Sequence, residues 1–291
     1  MLIEQLVAAY TIFLYAQVLF ILLWPLFLLL EKRDPVEQDL TIQHYWFNWK
    51  VSLLNLLVAP LFSALVVAFT LVVANAIGAP GLAYPVFEIQ TGVSVLDKVV
   101  HVILMFLIAC LLSDFSYYWW HRWQHKIPFL WELHKLHHSD ERLNMTTMPR
   151  SHFLEQAGQA LIRGLSVALL FDLSSREQTF TALVAAGLLP PIWNFFIHSN
   201  VRSERLHHLP PFFSNPQYHR IHHSSLAKHH DRNFAVFLPI FDIVFGSYYR
   251  PEKGEYPPTG LADGEQFDTL WHAQTAPFSA WQRMLKRTDS K

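Results

Sequence analysis

Uncharged, largely apolar residues run from Gln5 to Leu30, and a helix needs only about 20 such residues to cross a hydrocarbon core. A second uncharged stretch runs from Val51 to Phe87. Its first part, to about Ile77, is long enough to cross, and the turn chemistry of Gly78-Ala79-Pro80-Gly81 ends it. A third, from Val99 to Ser113, is short by itself but is extended by Tyr117, Tyr118, Trp119 and Trp120, rings that favour the membrane–water interface. No small-residue cleavage site follows the first run, which therefore reads as a retained span rather than a signal peptide. A soluble helical core would seldom place three such runs so close together.

Farther along, Phe180 to Ile197 is uncharged, Arg163 interrupts the apolar piece before it, and Pro190-Pro191 predicts a kink or break. Histidine clusters flank this region, so if they share metals the chain between them crosses the membrane an even number of times, as a hairpin or a re-entrant pair. The connection after the first span carries Lys32, Arg33 and Lys50, whereas the one from about 78 to 97 carries no Lys or Arg. Cationic loops stay cytoplasmic, which places the first histidine cluster on the cytoplasmic side. The predicted fold is all-α: a multi-pass transmembrane helical bundle with a cytoplasmic helical cap carrying the histidine clusters. The predicted division is spans and connections over 1–98, a catalytic domain over 99–250 and a polar cytoplasmic extension over 251–291.

Composition narrows the chemistry. Of 291 residues, 52 % are apolar and 15 % charged, with a net charge of −1, so nothing points to a nucleic-acid partner. The single cysteine, Cys110, excludes an internal disulfide framework and a cysteine-ligated cluster. Seventeen histidines remain, and they are clustered. HRWQH supplies His121 and His125; HKLHH supplies His134, His137 and His138; IHSN supplies His198; HRIHH supplies His219, His222 and His223. On a helix, residues at i, i+3 and i+4 project from one face. Three such helices converging, with His198 added, offer nine neutral nitrogen donors, more than one metal can use and enough for two. Imidazole suits iron, copper, zinc and nickel, so the ligands alone do not choose the metal. One H-x3-H is often a surface coincidence; two H-x2-HH clusters beside it are not. His207, His208, His229 and His230 form doublets without helical partners and read as facing solvent or nearby backbone, and His44, His101 and His272 read as structural.

Ligating imidazoles usually donate their second N–H to a carboxylate or carbonyl. Asp114, two turns before His121, together with Asn144, Asp231 and Asn233 close to the later clusters, are candidates for that role. Asn194, one turn before His198, shares its face and is positioned to reach a metal or its bound water.

At these residues the chain resembles the membrane-bound fatty acid hydroxylase and sterol desaturase superfamily. The stretch from Asp114 through HRWQH and HKLHH to Glu155 is similar to its first histidine block, and NFFIHSN followed by the segment from Asn215 to Tyr249 is similar to its second. The resemblance implies two iron ions held by His121, His125, His134, His137, His138, His198, His219, His222 and His223. It further implies that O2 is used to hydroxylate or desaturate a membrane lipid such as an acyl chain or sterol. Asn194 stands where some relatives have a further histidine, which makes the count nine. Ala235 and Phe241 replace a glycine and a tryptophan common in relatives, and His152 matches a position often histidine in bacterial members. No dinucleotide fingerprint, haem-attachment motif or cysteine cluster is present, so a separate electron-transfer protein is implied. Arg122, Lys126, Lys135, Arg220 and Lys228 are candidates to dock it or to hold lipid headgroups. The alternative, a histidine-rich metal-binding or transport protein, would line its spans with polar residues; here the histidines gather at one edge.

Overall fold

The computed structural model describes residue 18 and residues 21–76, 94–170, 189–204 and 211–288. Among these residues the chain is helical, with one isolated bridge, Ser224 to Thr259, and no strand. Helix α1 covers 21–33, and α2 (Ile42–Ala76), α3 (Ser94–Lys126) and α4 (Pro128–His138) follow. Then come α5 (Phe153–Leu170), α6 (Leu189–His198), α7 (Pro216–His222), α8 (Ile240–Val244) and α9 (Leu270–Thr288), with short 3-10 turns at Met145–Thr147 and Ala227–His229.

Among the described residues one helix, Val95–Lys126, is long and apolar enough to cross a membrane by length and composition. The third apolar run is thus the first half of a single helix that ends in the first histidine pair. At 1.5 Å per residue its 33 residues span about 50 Å, against a hydrocarbon core of about 30 Å, leaving several turns beyond it. The predicted boundary at 98–99 falls inside this helix. Only part of the first run and none of the Gly78–Gly81 turn lies in the described residues. The run from 155 to 197 appears as α5 and α6, with residues 171–188 between them outside the description.

Pro190 and Pro191, which predict a kink or break, lie at the start of the described part of α6, and residues 171–188 before it are outside the described residues. First-turn N–H groups have no intrahelical acceptor, so proline costs little there. That rule accounts for the start of α4 at Pro128 and of α7 at Pro216, where the Asn215 side chain also accepts the Tyr218 N–H at 3.0 Å. One residue, Ile127, separates α3 from α4, and this corner sets HRWQH against HKLHH.

Helix α5 packs on α2 and α3, and α4 packs on α3 and α9. Gly158 of α5 faces the Trp120 indole so closely that a Cβ there would overlap it. Away from their charged ends, α1, α2 and α3 leave large apolar residues exposed, such as Leu22, Leu26, Leu57, Leu65, Ile103 and Leu107. The same helices bury polar side chains: Asn48, Asn55, Ser113 and Asp114. Residues 251–288 fold back onto this frame. Leu261, Phe267 and Ala273 share a buried cluster with Leu136 and Val51, and Trp281 Nε1 donates to the Phe129 carbonyl at 2.9 Å.

Candidate metal centre

The nine clustered histidines meet in one place but form two groups. His121, His125, His134, His138 and His222 make the first; His137, His198, His219 and His223 make the second. Within each group the ligand atoms all lie within 4.8 Å of one another.

Helix geometry explains the division. At 100° per residue, i+4 lies about 40° beyond i, while i+3 lies about 60° behind it. The outer pair of an H-x2-HH therefore points one way and its middle histidine another. On α4 the outer pair His134/His138 joins the first group and His137 the second. At α7 the assignment is reversed: His219/His223 joins the second group and His222 the first. Each cluster thus reaches both groups and ties the two together.

The Nε2 atoms converge. His134 Nε2 lies 3.1 Å from those of both His121 and His138. In the second group His198 Nε2 is 3.1 Å from His137 Nε2 and 3.0 Å from His219 Nε2, which is 3.2 Å from His223 Nε2. Two nitrogens each about 2.1 Å from a shared cation, at right angles, would be about 3.0 Å apart. The buried Nε2 atoms of His125 and His222 have no hydrogen-bond partner. Such groups are costly to bury unless something is bound there. The donor set therefore fits two metal ions.

The opposite ring nitrogens are held by donation. Nδ1–H of His121 donates to the Phe234 carbonyl at 2.7 Å, that of His222 to the Arg232 carbonyl at 2.9 Å, and that of His198 to the Asn194 carbonyl at 2.7 Å. His134 Nδ1 donates to Glu155 Oε1 at 2.8 Å, both groups being buried. These bonds select the tautomer whose Nε2 lone pair faces inward. Burial, reinforced by neighbouring imidazoles, pushes His137, His138, His219 and His223 well below the usual histidine range. Burial likewise takes His222 to about 3. Neutral imidazole is the ligating form.

The residues expected to support the ligands act mostly through the backbone. Asp231 and Asn233 adopt left-handed φ values of 61° and 58°, a region Asp and Asn tolerate better than other side chains. That conformation brackets Arg232 and turns the carbonyls of Arg232 and Phe234 onto His222 and His121. Asn233 also ties the loop down, donating from Nδ2 to the Tyr218 and Tyr249 carbonyls and accepting the Tyr249 N–H. Asp114 accepts the N–H groups of Phe237 and Leu238 at 3.1 and 2.7 Å, fixing the far end of that loop. Asn194 contributes its carbonyl, and its own Oδ1 is buried without a hydrogen-bond partner. Asn144 caps the turn Met145–Thr147 and bonds no clustered histidine.

Three supporting residues carry no motif in the sequence. Glu155 is the carboxylate on His134. Asp242 is buried and accepts the N–H groups of Phe234 and Ala235 at 2.8 and 2.7 Å. Arg150 donates from Nε to the Leu136 carbonyl and from Nη2 to Ser139, closing the end of α4 that bears His137 and His138. Charge at a helix terminus could have flagged Glu155 and Arg150, but only as ordinary caps.

Among the remaining histidines, His229 is buried against Ser224 and Glu255, His152 bonds the Gln274 carbonyl, and His230 is exposed. His207 and His208 lie outside the described residues. The five cations considered for docking all have partners: Arg122 with Tyr118, Lys126 with Asp231, Lys135 and Arg220 with Glu265 and Glu37, and Lys228 with Glu255.

Residues 106–247 match the fatty acid hydroxylase family model. The chain is 32 % identical over 141 residues to alkylglycerol monooxygenase of Danio rerio, covering 48 % of this chain and 30 % of that protein. It is 26 % identical over 155 residues to ornithine lipid hydroxylase OlsE of Rhizobium tropici, covering 53 % and 45 %. It is 29 % identical over 148 residues to a delta(7)-sterol 5(6)-desaturase of Gibberella zeae, covering 51 % and 38 %. The chain thus spans less than half the length of these relatives. No solved structure matches. All nine converging histidines fall inside the matched segment, residues 106–247, and that segment resembles the fatty acid hydroxylase and sterol desaturase superfamily.

Proposed function

We propose that this protein is an integral-membrane oxidoreductase that uses O2 and external electrons to hydroxylate or desaturate a membrane lipid at a diiron centre. The observation that carries the reading is the division of nine imidazoles into interlocked groups of five and four. Bound iron would supply O2 activation and oxidation of a C–H bond. The protein's share is to hold both ions, orient the lipid chain and exclude water. His121, His125, His134, His138 and His222 would hold one ion, and His137, His198, His219 and His223 the other. Phe234, Arg232, Asn194 and Glu155 would hold proton positions on the outward Nδ1 atoms of His121, His222, His198 and His134 and so keep those four inward lone pairs available.

The substrate class is supported by relatives that carry names of lipid monooxygenases, hydroxylases and desaturases. Membrane embedding is supported by the apolar exposed faces of α1, α2 and α3, since a soluble surface seldom carries so extended a patch. If α3 crosses, its last turns would carry the histidines to one face of the bilayer, and the positive charge at Lys32, Arg33 and Lys50 supports a cytoplasmic face. A soluble electron-transfer protein on that side would supply the two electrons.

The test is to purify the protein in detergent, determine its metals, and follow O2-dependent change in host lipids by mass spectrometry. Two irons per chain with products heavier by one oxygen support hydroxylation; loss of two hydrogens supports desaturation. Zinc alone with unchanged lipids would refute the oxygenase reading.

A further inference from the structure

The two histidine groups are not equally enclosed. All four members of the second are buried, whereas in the first His125 is partly exposed. Its exposure comes from a cleft of about 350 Å3. Three of the nine clustered histidines line the cleft, His125, His138 and His222, and all three belong to the first group. No member of the second group reaches it. The Nε2 atoms of His125 and His222 are the buried ones without partners, so the cleft ends on donors that nothing else in the chain engages.

Its walls suit an ion rather than a lipid chain. Trp131, Leu261 and Ala262 contribute apolar lining, and Lys135, Ser224, Asp231 and Asp263 contribute polar groups. The Lys135 ammonium is matched by Glu132 and Glu265, so it does not repel a cation. Asp263 accepts only a local backbone N–H, from Glu265 at 3.1 Å, among the bonds described. His230 stands exposed in the lining and adds an imidazole outside the centre.

We propose that this cleft is the port for divalent metal ions, so that the two metal positions exchange unequally. The five-histidine position fills and empties through the cleft, and the four-histidine position exchanges only when the surrounding helices open. The inference rests on the dinuclear reading above and adds an order to it.

The experiment loads the detergent-purified protein with ferrous iron under anaerobic conditions and challenges it with the chelator ferrozine, following the coloured complex. Release should come in two phases of equal amplitude, the second roughly tenfold or more slower because a sealed site waits on local opening. Ala262→Trp, at an exposed position in the cleft wall, should slow the first phase roughly tenfold by the same logic and leave the second unchanged. Asp263→Trp provides the same obstruction should the first variant not fold, and circular dichroism checks both. A wild-type protein that holds two irons but loses them in one phase, or a folded blocked variant with unaltered release, overturns the port while leaving the dinuclear centre standing. Fewer than two bound metals overturns both.

Discussion

Glu155 offers a sharp test of how the centre is held. Its Oε1 accepts the His134 Nδ1–H at 2.8 Å, both residues are about 1 % exposed, and no other side chain binds that nitrogen. Replacing Glu155 with alanine leaves a buried imidazole N–H without an acceptor, a loss of about 1–3 kcal/mol. Removing a partner of a ligating histidine typically costs about 10–100-fold in metal affinity, which is about 1.4–2.8 kcal/mol. The two estimates agree, so the effect should fall on metal binding rather than on folding alone. Chelator-competition titrations of wild type, Glu155→Ala and Glu155→Gln would measure it. One metal should bind about 10–100-fold more weakly in the alanine variant. The glutamine variant, which retains a carbonyl acceptor, should recover most of the loss. An alanine variant with a lower melting temperature but unaltered affinity for both metals would refute the assigned role of Glu155.

Other perturbations probe the scaffold. Gly158→Val should destabilise the protein, because its side chain overlaps the Trp120 indole; overpacking costs about 1–3 kcal/mol, beyond the few tenths gained in helix propensity. Thermal melting in detergent reads it. Asp242→Ala strands the N–H groups of Phe234 and Ala235 at about 1–3 kcal/mol each, and should lower both the denaturation midpoint and metal occupancy. Burial works against the ionised Glu255, but Lys228, the Glu252 N–H and Tyr249 outweigh it and hold the carboxyl at about 2, against 4.5 when free. A depressed carboxylate stabilises the fold fully above its free value and progressively less as pH falls. Protease sensitivity of the 227–256 segment should therefore rise between pH 4.5 and 2, and Glu255→Gln should show it already at neutral pH.

Much of the centre was legible because helical periodicity is local. HRWQH, HKLHH and HRIHH declare their shared faces from spacing alone, and counting donors already implied two metals. The division into five and four was not legible, because it depends on how α4 and α7 are turned toward each other. Glu155 escaped notice because its contact with His134 is made by packing α5 on α3 and α4, 21 residues away in sequence. The carbonyls of Arg232, Phe234 and Asn194 leave no side-chain signature at all. Asp231 and Asn233 were visible as polar neighbours, but their contribution is a backbone turn rather than a direct bond. The polar composition of 251–291 likewise hid Leu261, Phe267 and Ala273, which pack beneath α4.

The central claim is that two ions are held by two distinct sets of these histidines, and metal stoichiometry tests it most directly. Wild-type protein should carry two metals per chain, and His198→Ala with His219→Ala, which removes half of the four-histidine group, should carry one. A wild type with a single metal, or a double variant that still holds two, would contradict the account.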